Sequence, residues 1–318
     1  MFAAIAFLIV GLVLLVYSAD FLVKGAANIA AALGISPLVV GLTVVAFGTS
    51  APELAVSVMS AFKGQADIAV GNVVGSNIFN VLFILGVSAL IIPLVVHAQL
   101  VRFDVPVMIG VSVLLYVLSM DGLISRVDGI VLAALLLVYV IFLLRLSKKE
   151  KDAGVLSEYE QEYGKPAADP KWLKNILFVL GGVAGLVIGL TVVAFGTSAP
   201  EMAVSAGAVL GGQYDIAIGN VVGSTIFNVL FILGASALIV PLVVNRQIIR
   251  QEVPILIGAT ILLIVMLRDL SISMVEGGVL FSLLIVYTVF LVVQSRRANR
   301  AMSDVPEPLA LDESPLAS

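Results

Sequence analysis

The chain has 318 residues, of which 61% are hydrophobic and 12% are charged. A soluble domain carries charge on about a quarter of its residues, so this composition excludes an ordinary soluble protein. The chain contains no cysteine, which excludes disulfide frameworks and thiolate chemistry, and its net charge of −4 comes with no basic stripe for nucleic acid.

Apolar runs with little or no charge follow one another along the chain, and the longest allow a helix to cross roughly 30 Å of hydrocarbon. The first run begins at the N-terminus without a preceding positive segment, which predicts a first span rather than a cleaved signal peptide. The sequence therefore predicts an all-α, multi-pass protein of the lipid bilayer. The runs are Phe2–Ala19, Gly25–Pro52, Ile68–Val101, Val105–Met120, Gly129–Leu144, Asn175–Pro200, Ile216–Asn245, Val253–Leu267 and Gly277–Ser295.

Two polar segments divide the chain. Residues 145–171 form a charged linker, which the positive-inside rule places in the cytosol. Residues 295–318 are rich in Pro, Ser and charge, and predict a disordered tail. This division leaves a first transmembrane repeat at residues 1–144 and a second at residues 172–294.

The two halves repeat each other at a constant offset of 148 residues. GLTVVAFGTSAPE stands at residues 41–53 and again at 189–201, and GNVVGSNIFNVLFILG at 71–86 returns as GNVVGSTIFNVLFILG at 219–234. An internal repeat in a multi-pass protein indicates a transporter built from two halves. If each half has five spans, the odd number makes the second half enter from the opposite face. The repeats are then inverted, with ten spans in total.

Glu53 and Glu201 are the acidic residues of the first block. Each is the only charge in a run of more than 35 residues. A carboxylate in the middle of a membrane costs about 3 kcal/mol or more, so such residues usually face a polar cavity and act in function.

The same block predicts a break in its helix. Pro52 and Pro200 have no N–H, and their rings clash with the carbonyls of Gly48 and Gly196, four residues earlier. A break there frees carbonyls around Ala46–Gly48 to face a cavity, as interrupted membrane helices do at binding sites.

The second block adds polar groups and small residues. Ser76 and Asn80 are four residues apart, on one helix face, and Gly71 and Gly75 predict close helix packing. All donors in the two blocks are oxygens, which suit Ca²⁺ and Na⁺ better than soft transition metals.

Together, GLTVVAFGTSAPELAVS at 41–57, the block at 71–86 and their copies at 189–205 and 219–234 closely resemble the alpha repeats of the sodium/calcium exchanger family. The resemblance covers nearly the whole chain outside the linker and tail. It implies ten helices in two inverted five-helix repeats, with ion sites at the midplane. It also implies an antiporter of a prokaryotic inner membrane, rather than an enzyme, in which Ca²⁺ and Na⁺ compete for the same glutamates.

The resemblance also implies roles for individual residues, and it implies neither a cofactor nor a protein partner. Glu53 and Glu201 would bind Ca²⁺ with the help of the backbone at Thr49 and Thr197. The Na⁺ ligands would come from Ala46, Ser50, Ser76, Ala194, Ser198 and Ser224, and Asn80 and Asn228 would complete a central polar cluster.

Two departures from the family leave alternatives open. Exchangers often carry Asp where this chain has Asn228, so the site holds two carboxylates and the counter-ion can be Na⁺, H⁺ or K⁺. The second repeat also lacks the 23 residues that match Tyr17–Val39, which in this family belong to the gating sixth helix. Either the shortened helix turns at Gly185–Gly189 and ten spans remain, as we expect, or Trp172–Thr197 is one helix and nine remain. A protein that binds cations without transporting them is the alternative from another class.

Overall fold

The computed structural model describes residues 2–33, 35–149, 171–193 and 197–303, and this part of the chain is mostly helical. Among the described residues, six helices are long and apolar enough to cross a membrane, or up to seven if α2 and α3, which meet at a bend, count as one span. The ten predicted spans remain a prediction. The helices are α1 Phe2–Leu33, α2 Leu38–Thr49, α3 Ala51–Phe62, α4 Ala66–Ile91, α5 Leu100–Ser119, α6 Arg126–Lys149, α7 Trp172–Val193, α8 Ala199–Leu210, α9 Tyr214–Ile239, α10 Ile248–Asp269 and α11 Met274–Ser303.

Two helices continue past the predicted domain boundaries. Helix α6 extends to Lys149, inside the predicted linker, and α11 extends to Ser303. The prediction of a disordered tail from residue 295 is therefore wrong for residues 295–303. Arg and Ala, which are good helix formers, are frequent in this stretch and allow the helix to continue. The rest of the predicted linker and tail lies outside the described residues, at 150–170 and 304–318.

Wide π-helical turns occur in five of the described helices, α2, α4, α5, α9 and α10. Helices α5 and α10 begin with such a turn just before Pro106 and Pro254, where the wider turn relieves the clash of the proline ring with the preceding turn. Helices α4 and α9 have their π-helical turns at Asn80–Ile84 and Asn228–Leu233, with no proline to cause them. Such turns often occur at functional sites, and both begin at a predicted polar residue.

Four two-residue strands, which the sequence analysis did not predict, join loops of the two repeats. Strand β1 (Leu94–Val95) pairs antiparallel with β4 (Ser271–Ile272), and β2 (Leu123–Ile124) pairs antiparallel with β3 (Leu242–Val243). By the offset of 148, β1 is equivalent to β3 and β2 to β4. Each strand therefore pairs with a loop that is not its own equivalent.

The last helix of each repeat packs against the other repeat at glycines. A Cβ on Gly86 of α4 would lie 3.1 Å from the carbonyl oxygen of Gly277 in α11. A Cβ on Gly129 of α6 would lie 2.9 Å from the carbonyl oxygen of Gly234 in α9. Lipid offers little hydrophobic drive for helix association, so close backbone approach at small residues is what holds membrane helices together.

The shortened α7 packs antiparallel along α1. Gly25 of α1 faces Asn175, and Gly182 faces Leu22, with a Cβ on Gly182 reaching within 2.7 Å of the Leu22 nitrogen. The sharp turn predicted at Gly185–Gly189 is wrong, because α7 remains helical through these residues. The glycines serve close packing against α1 rather than chain reversal.

The packing predicted for Gly71 and Gly75 is also wrong, although it holds for their equivalents. A Cβ on Gly223 of α9 would lie 2.7 Å from the Leu42 carbonyl oxygen of α2. A Cβ on Gly75 of α4 would meet no described atom within 4 Å, and one on Gly71 would meet only a methyl group at 3.9 Å. Helix α2 covers α9, whereas the second repeat lacks the residues that begin such a covering helix.

Candidate cation site

The first repeat contains the predicted helix break, which lies at Ser50. Helices α2 and α3 meet there at a bend of 46°, and Pro52 stands in the first turn of α3. Pro200 holds the equivalent position in the first turn of α8. The predicted site residues Ala194 and Gly196 lie outside the described residues, as does part of the single helix required by the nine-span alternative.

Gly48 allows three helices to meet at the break. It keeps a helical conformation, and its missing Cβ would lie 2.7 Å from the Leu22 side chain of α1 and 3.2 Å from that of Val183 in α7. The residue is therefore required for close approach.

The carbonyl of Ala46 is engaged within the helix. It accepts a hydrogen bond from the Ser50 nitrogen at 3.0 Å, and Thr49 Oγ1 lies 3.3 Å from it. The prediction that the break frees this carbonyl is wrong in this structure, because the last turn of α2 closes over it.

Glu53 and Glu201 are fully buried, and each contacts a hydroxyl from the other repeat. Ser198 Oγ donates to Glu53 Oε1 at 3.4 Å, and Ser50 Oγ donates to Glu201 Oε1 at 3.2 Å. The second oxygen of each carboxylate, Oε2, has no partner among the described residues. A buried carboxylate oxygen without a partner is costly, so this arrangement fits two groups that bind a cation.

Hydroxyl and amide groups join the repeats beside the glutamates. Thr49 Oγ1 donates to Asn220 Oδ1 at 3.0 Å and lies 3.4 Å from Ser224 Oγ. These contacts bring the predicted Thr and Ser ligands of opposite repeats together. The equivalent contacts are Thr197 Oγ1 to Asn72 Oδ1 at 3.1 Å and to Ser76 Oγ at 3.3 Å.

The sequence analysis missed Asn72 and Asn220, which hold the glutamate-bearing helices in place. Asn220 Nδ2 donates to the backbone oxygen of Glu201 at 3.3 Å and to Ser205 Oγ at 3.0 Å. Asn72 makes the same two contacts in the first repeat, with Glu53 and Ser57. The signal was present, since each Asn belongs to the repeated GNVVGS and stands one helical turn before the Ser ligand.

The central amides are buried and differ between the repeats. Asn228 Nδ2 donates to Asn77 Oδ1 at 2.9 Å, and Asn77 Nδ2 donates to the Thr225 carbonyl at 3.3 Å. Asn80 finds no partner for either polar atom, and Asn228 none for Oδ1, within the described ranges. Asn77, which the sequence analysis also missed, occupies the one position where the second block differs between repeats.

Unsatisfied polar atoms are concentrated at this place. Of the seven buried side-chain atoms without a partner among the described residues, five belong to Glu53, Glu201, Asn80 and Asn228. The described part of the chain contains no group of three or more His, Cys, Asp or Glu residues able to hold a metal ion. The charged part of the site is thus a pair of glutamates, completed by neutral oxygens that suit hard cations.

Comparison with known proteins gives a consistent result. A family profile described as "Sodium/calcium exchanger protein" matches residues 3–145 and 171–293. Inner membrane protein YrbG of Escherichia coli (strain K12) is 40% identical over 265 residues, covering 76% of this chain and 81% of YrbG. Sodium/calcium exchanger MaX1 of Methanosarcina acetivorans is 32% identical over 341 residues, covering 90% and 97%. The solved sodium-calcium exchanger NCX_Mj, soaked with zero Na⁺ and Ca²⁺, has a TM-score of 0.75 and 27% identity, covering 91% and 98%.

The family profile matches both repeats and well over half of the chain. The chain therefore belongs to the sodium/calcium exchanger family, whose members are membrane transporters and not enzymes.

Proposed function

We propose that the protein is a secondary antiporter that exchanges Ca²⁺ for Na⁺ at the site of Glu53 and Glu201. The observation that carries this proposal is the pair of fully buried carboxylates, one from each repeat, each with one unpartnered oxygen. Two buried negative charges repel each other, so bound cations or protons are needed to neutralise the site. Because Ca²⁺ and Na⁺ need the same two carboxylates, loading one ion requires release of the other.

The hydroxyl groups complete the ligand set in this proposal. Thr49 and Thr197 assist the glutamates in binding Ca²⁺, since each lies in the turn that precedes a glutamate and contacts the other repeat. The proposed Na⁺ ligands with described side chains are Ser50, Ser76, Ser198 and Ser224, all of which are buried beside the carboxylates.

The exchange is electroneutral in this proposal. Two carboxylates balance one Ca²⁺ or two monovalent cations, and Asn80 and Asn228 add oxygens without adding charge. A third monovalent cation would leave a net positive charge buried in the membrane, which is costly. We therefore expect Ca²⁺ flux to be insensitive to an imposed membrane potential.

The strand pairing supports an inverted arrangement of the repeats. Strands β1 and β2 lie at opposite ends of α5, and their equivalents β3 and β4 lie at opposite ends of α10. If α5 and α10 run in opposite directions, β1 lies beside β4 and β2 lies beside β3, as the observed pairing requires. The proposal therefore keeps ten passes, and likeness to Inner membrane protein YrbG supports a prokaryotic inner membrane.

The test is uptake of radioactive Ca²⁺ into proteoliposomes loaded with Na⁺ and diluted into Na⁺-free buffer. We expect uptake that requires internal Na⁺ and vanishes in vesicles without protein. A matched pH gradient without Na⁺, and a matched K⁺ gradient, form the other arms. Uptake driven by the pH gradient alone would replace Na⁺ by H⁺ as the counter-ion, and the two-carboxylate site suits either.

One observation favours a second candidate, a protein that binds cations without transporting them. Helix α7 lacks the residues that in the first repeat form the end of α1 and the start of α2, so the two halves cannot move as matched units. This candidate predicts Ca²⁺ binding to the purified protein, lost in Glu53→Gln, with no uptake under any of the three gradients.

A further inference from the structure

A cleft of about 620 Å³ lies on a face of α4 that none of the described helices covers. Helix α4 contributes Asn72, Gly75 and Ser76 to its lining. The second repeat contributes Thr197 and Ser198, which directly precede α8, and Met202 of α8. The equivalent face of α9 is filled by α2, as the close approach of Gly223 to Leu42 demonstrates. Among the described residues, the cleft thus lies on the α4 side of the cation site, whereas α2 fills the equivalent place on the α9 side.

The polar end of the cleft leads directly to Glu53. Ser198, which lines the cleft, donates to Glu53 Oε1, so a single hydroxyl separates the open space from that carboxylate. Ser50, the equivalent of Ser198, is buried, and Thr49, Asn220 and Ser224 have no exposed surface. The Glu53 half of the site therefore lies beside the cleft, whereas the equivalents of its polar lining residues on the Glu201 side are enclosed.

The cleft is large enough to hold a hydrated cation. A volume of about 620 Å³ holds about 20 water molecules at about 30 Å³ each. Gly71, at one end, is five residues from Ala66, or about 8 Å along the helix from the exposed turn at Lys63–Gln65. Phe79 and Phe83, whose ring centroids are 4.5 Å apart, form an apolar wall at the other end.

We propose that cations enter and leave the site through this cleft and meet Glu53 before Glu201. The proposal rests on the proposed function for the identity of the ions. The access of water to the cleft does not depend on it, and can be measured whether or not the protein transports Ca²⁺.

The chain contains no cysteine, so single thiols can report on water access without background. Gly75→Cys and Met202→Cys place a thiol in the cleft, and neither site is crowded. Leu54→Cys is the matched control, because Leu54 is the equivalent of Met202 and packs against the core. Gly110→Cys, on an exposed part of α5 with no described atom nearby, controls for thiols that face lipid.

Each full-length variant is reconstituted in liposomes and treated on both sides with a positively charged methanethiosulfonate. We expect both cleft thiols to react at least about tenfold faster than both controls, because the reactive thiolate forms where water reaches it. Complete labelling of Gly75→Cys should also slow Na⁺-dependent Ca²⁺ uptake at least about tenfold, whereas labelling of Gly110→Cys should not. Gel filtration and thiol counts after denaturation verify that all four variants fold and carry one thiol.

Three results would overturn the proposal. Equal labelling of Leu54→Cys and Met202→Cys would mean that access is not one-sided. Reaction of Gly75→Cys with an uncharged maleimide but not with the charged reagent would mean that an acyl chain fills the cleft. Full uptake after complete labelling of Gly75→Cys would mean that ions take another route. Labelling as expected with no uptake by any unmodified variant would instead contradict the proposed antiport and leave the open cleft standing.

Discussion

The sequence GLTVVAFGTSAPE occurs at residues 41–53 and 189–201, and the two copies lie in different surroundings. In the first copy, Gly41–Val45 is a π-helical turn of a separate helix that packs on α9, where a Cβ on Gly41 would lie 3.0 Å from the Ile216 carbonyl oxygen. In the second copy, the same letters as far as Val193 continue α7. The upstream chain makes the difference, because the first repeat ends α1 and begins a new helix where the second has no residues to do so.

The two glutamates give the largest expected effect, and here the copies should behave alike. Glu53→Gln and Glu201→Gln each remove one of the two carboxylates that neutralise the bound cation. Removing one partner of a buried ion pair costs about 3–5 kcal/mol of binding free energy. Na⁺-dependent Ca²⁺ uptake should fall about 100-fold or more in each variant, measured in proteoliposomes. Asp20→Asn, which removes an exposed carboxylate paired with Lys24, is the control and should leave uptake unchanged. Retained uptake in either Gln variant would remove the glutamates from the site.

Restoring the missing residues should make the copies more alike. Insertion of a copy of Tyr17–Val39 after Val187 supplies the second repeat with a helix end and a new helix start. We expect this helix to cover the face of α4 and to slow labelling of Met202→Cys about tenfold, measured with the charged thiol reagent. Insertion of 23 Gly and Ser residues at the same place is the control, since it adds length without an apolar helix. Unchanged labelling after the native insertion would mean that the missing residues are not the cover.

Gly223 of α9 and Gly75 of α4 are equivalent positions, and substituting each tests through the free energy of unfolding whether its helix face is covered. Gly223→Ala drives a Cβ into the Leu42 backbone of α2, and overpacking of this kind costs about 1–3 kcal/mol. Gly75→Ala meets open space and should be neutral, or stabilising by up to about 1 kcal/mol through helix propensity. We expect the midpoint of thermal unfolding, measured in detergent by circular dichroism, to be lower for Gly223→Ala only. Equal destabilisation would mean that something covers Gly75 in the folded protein.

The asparagine pair gives the smallest expected difference. Asn220→Ala removes buried hydrogen bonds to Thr49, Ser205 and the Glu201 backbone, at a cost of about 1–2 kcal/mol. Asn72→Ala should cost less, because Asn72 lines the cleft and water can replace its bonds. The same unfolding measurement compares the two. A larger loss for Asn72→Ala would contradict water access to that side.

The sequence alone identified the residues whose type and position along the chain are enough to indicate a function. Glu53 and Glu201 stand out because a charge in a long apolar run is costly, and their repetition makes chance placement untenable. Asn72, Asn77 and Asn220 did not stand out, because an amide in a helix serves equally well in packing, in lipid-facing turns or at a site. Their role depends on which helix of the other repeat faces them, and no local pattern encodes that.

The fold shows the same division. Hydropathy located the long helices, and the proline in the first block located the bend of α2 and α3. The turn predicted at Gly185–Gly189 was wrong because glycine is both a turn signal and a packing residue, and Gly185 packs against Ser18 of α1. Only the presence of α1 beside α7 decides between the two. The paired strands were missed for a similar reason, since two-residue strands exist only when a loop from the other repeat lies alongside.

The contact between Gly86 and Gly277 also has a consequence for synthesis. The two residues are about 190 positions apart, so at about 5–20 residues per second the ribosome needs about 10–40 s to supply the second after the first. During that interval the surface of α4 around Gly86 contacts lipid, because α11 has not yet been made. Neither half can mature alone, and a chain that stops before α11 leaves the earlier half as incomplete as the later one. Assembly of the site is therefore a late event that waits for the last helix.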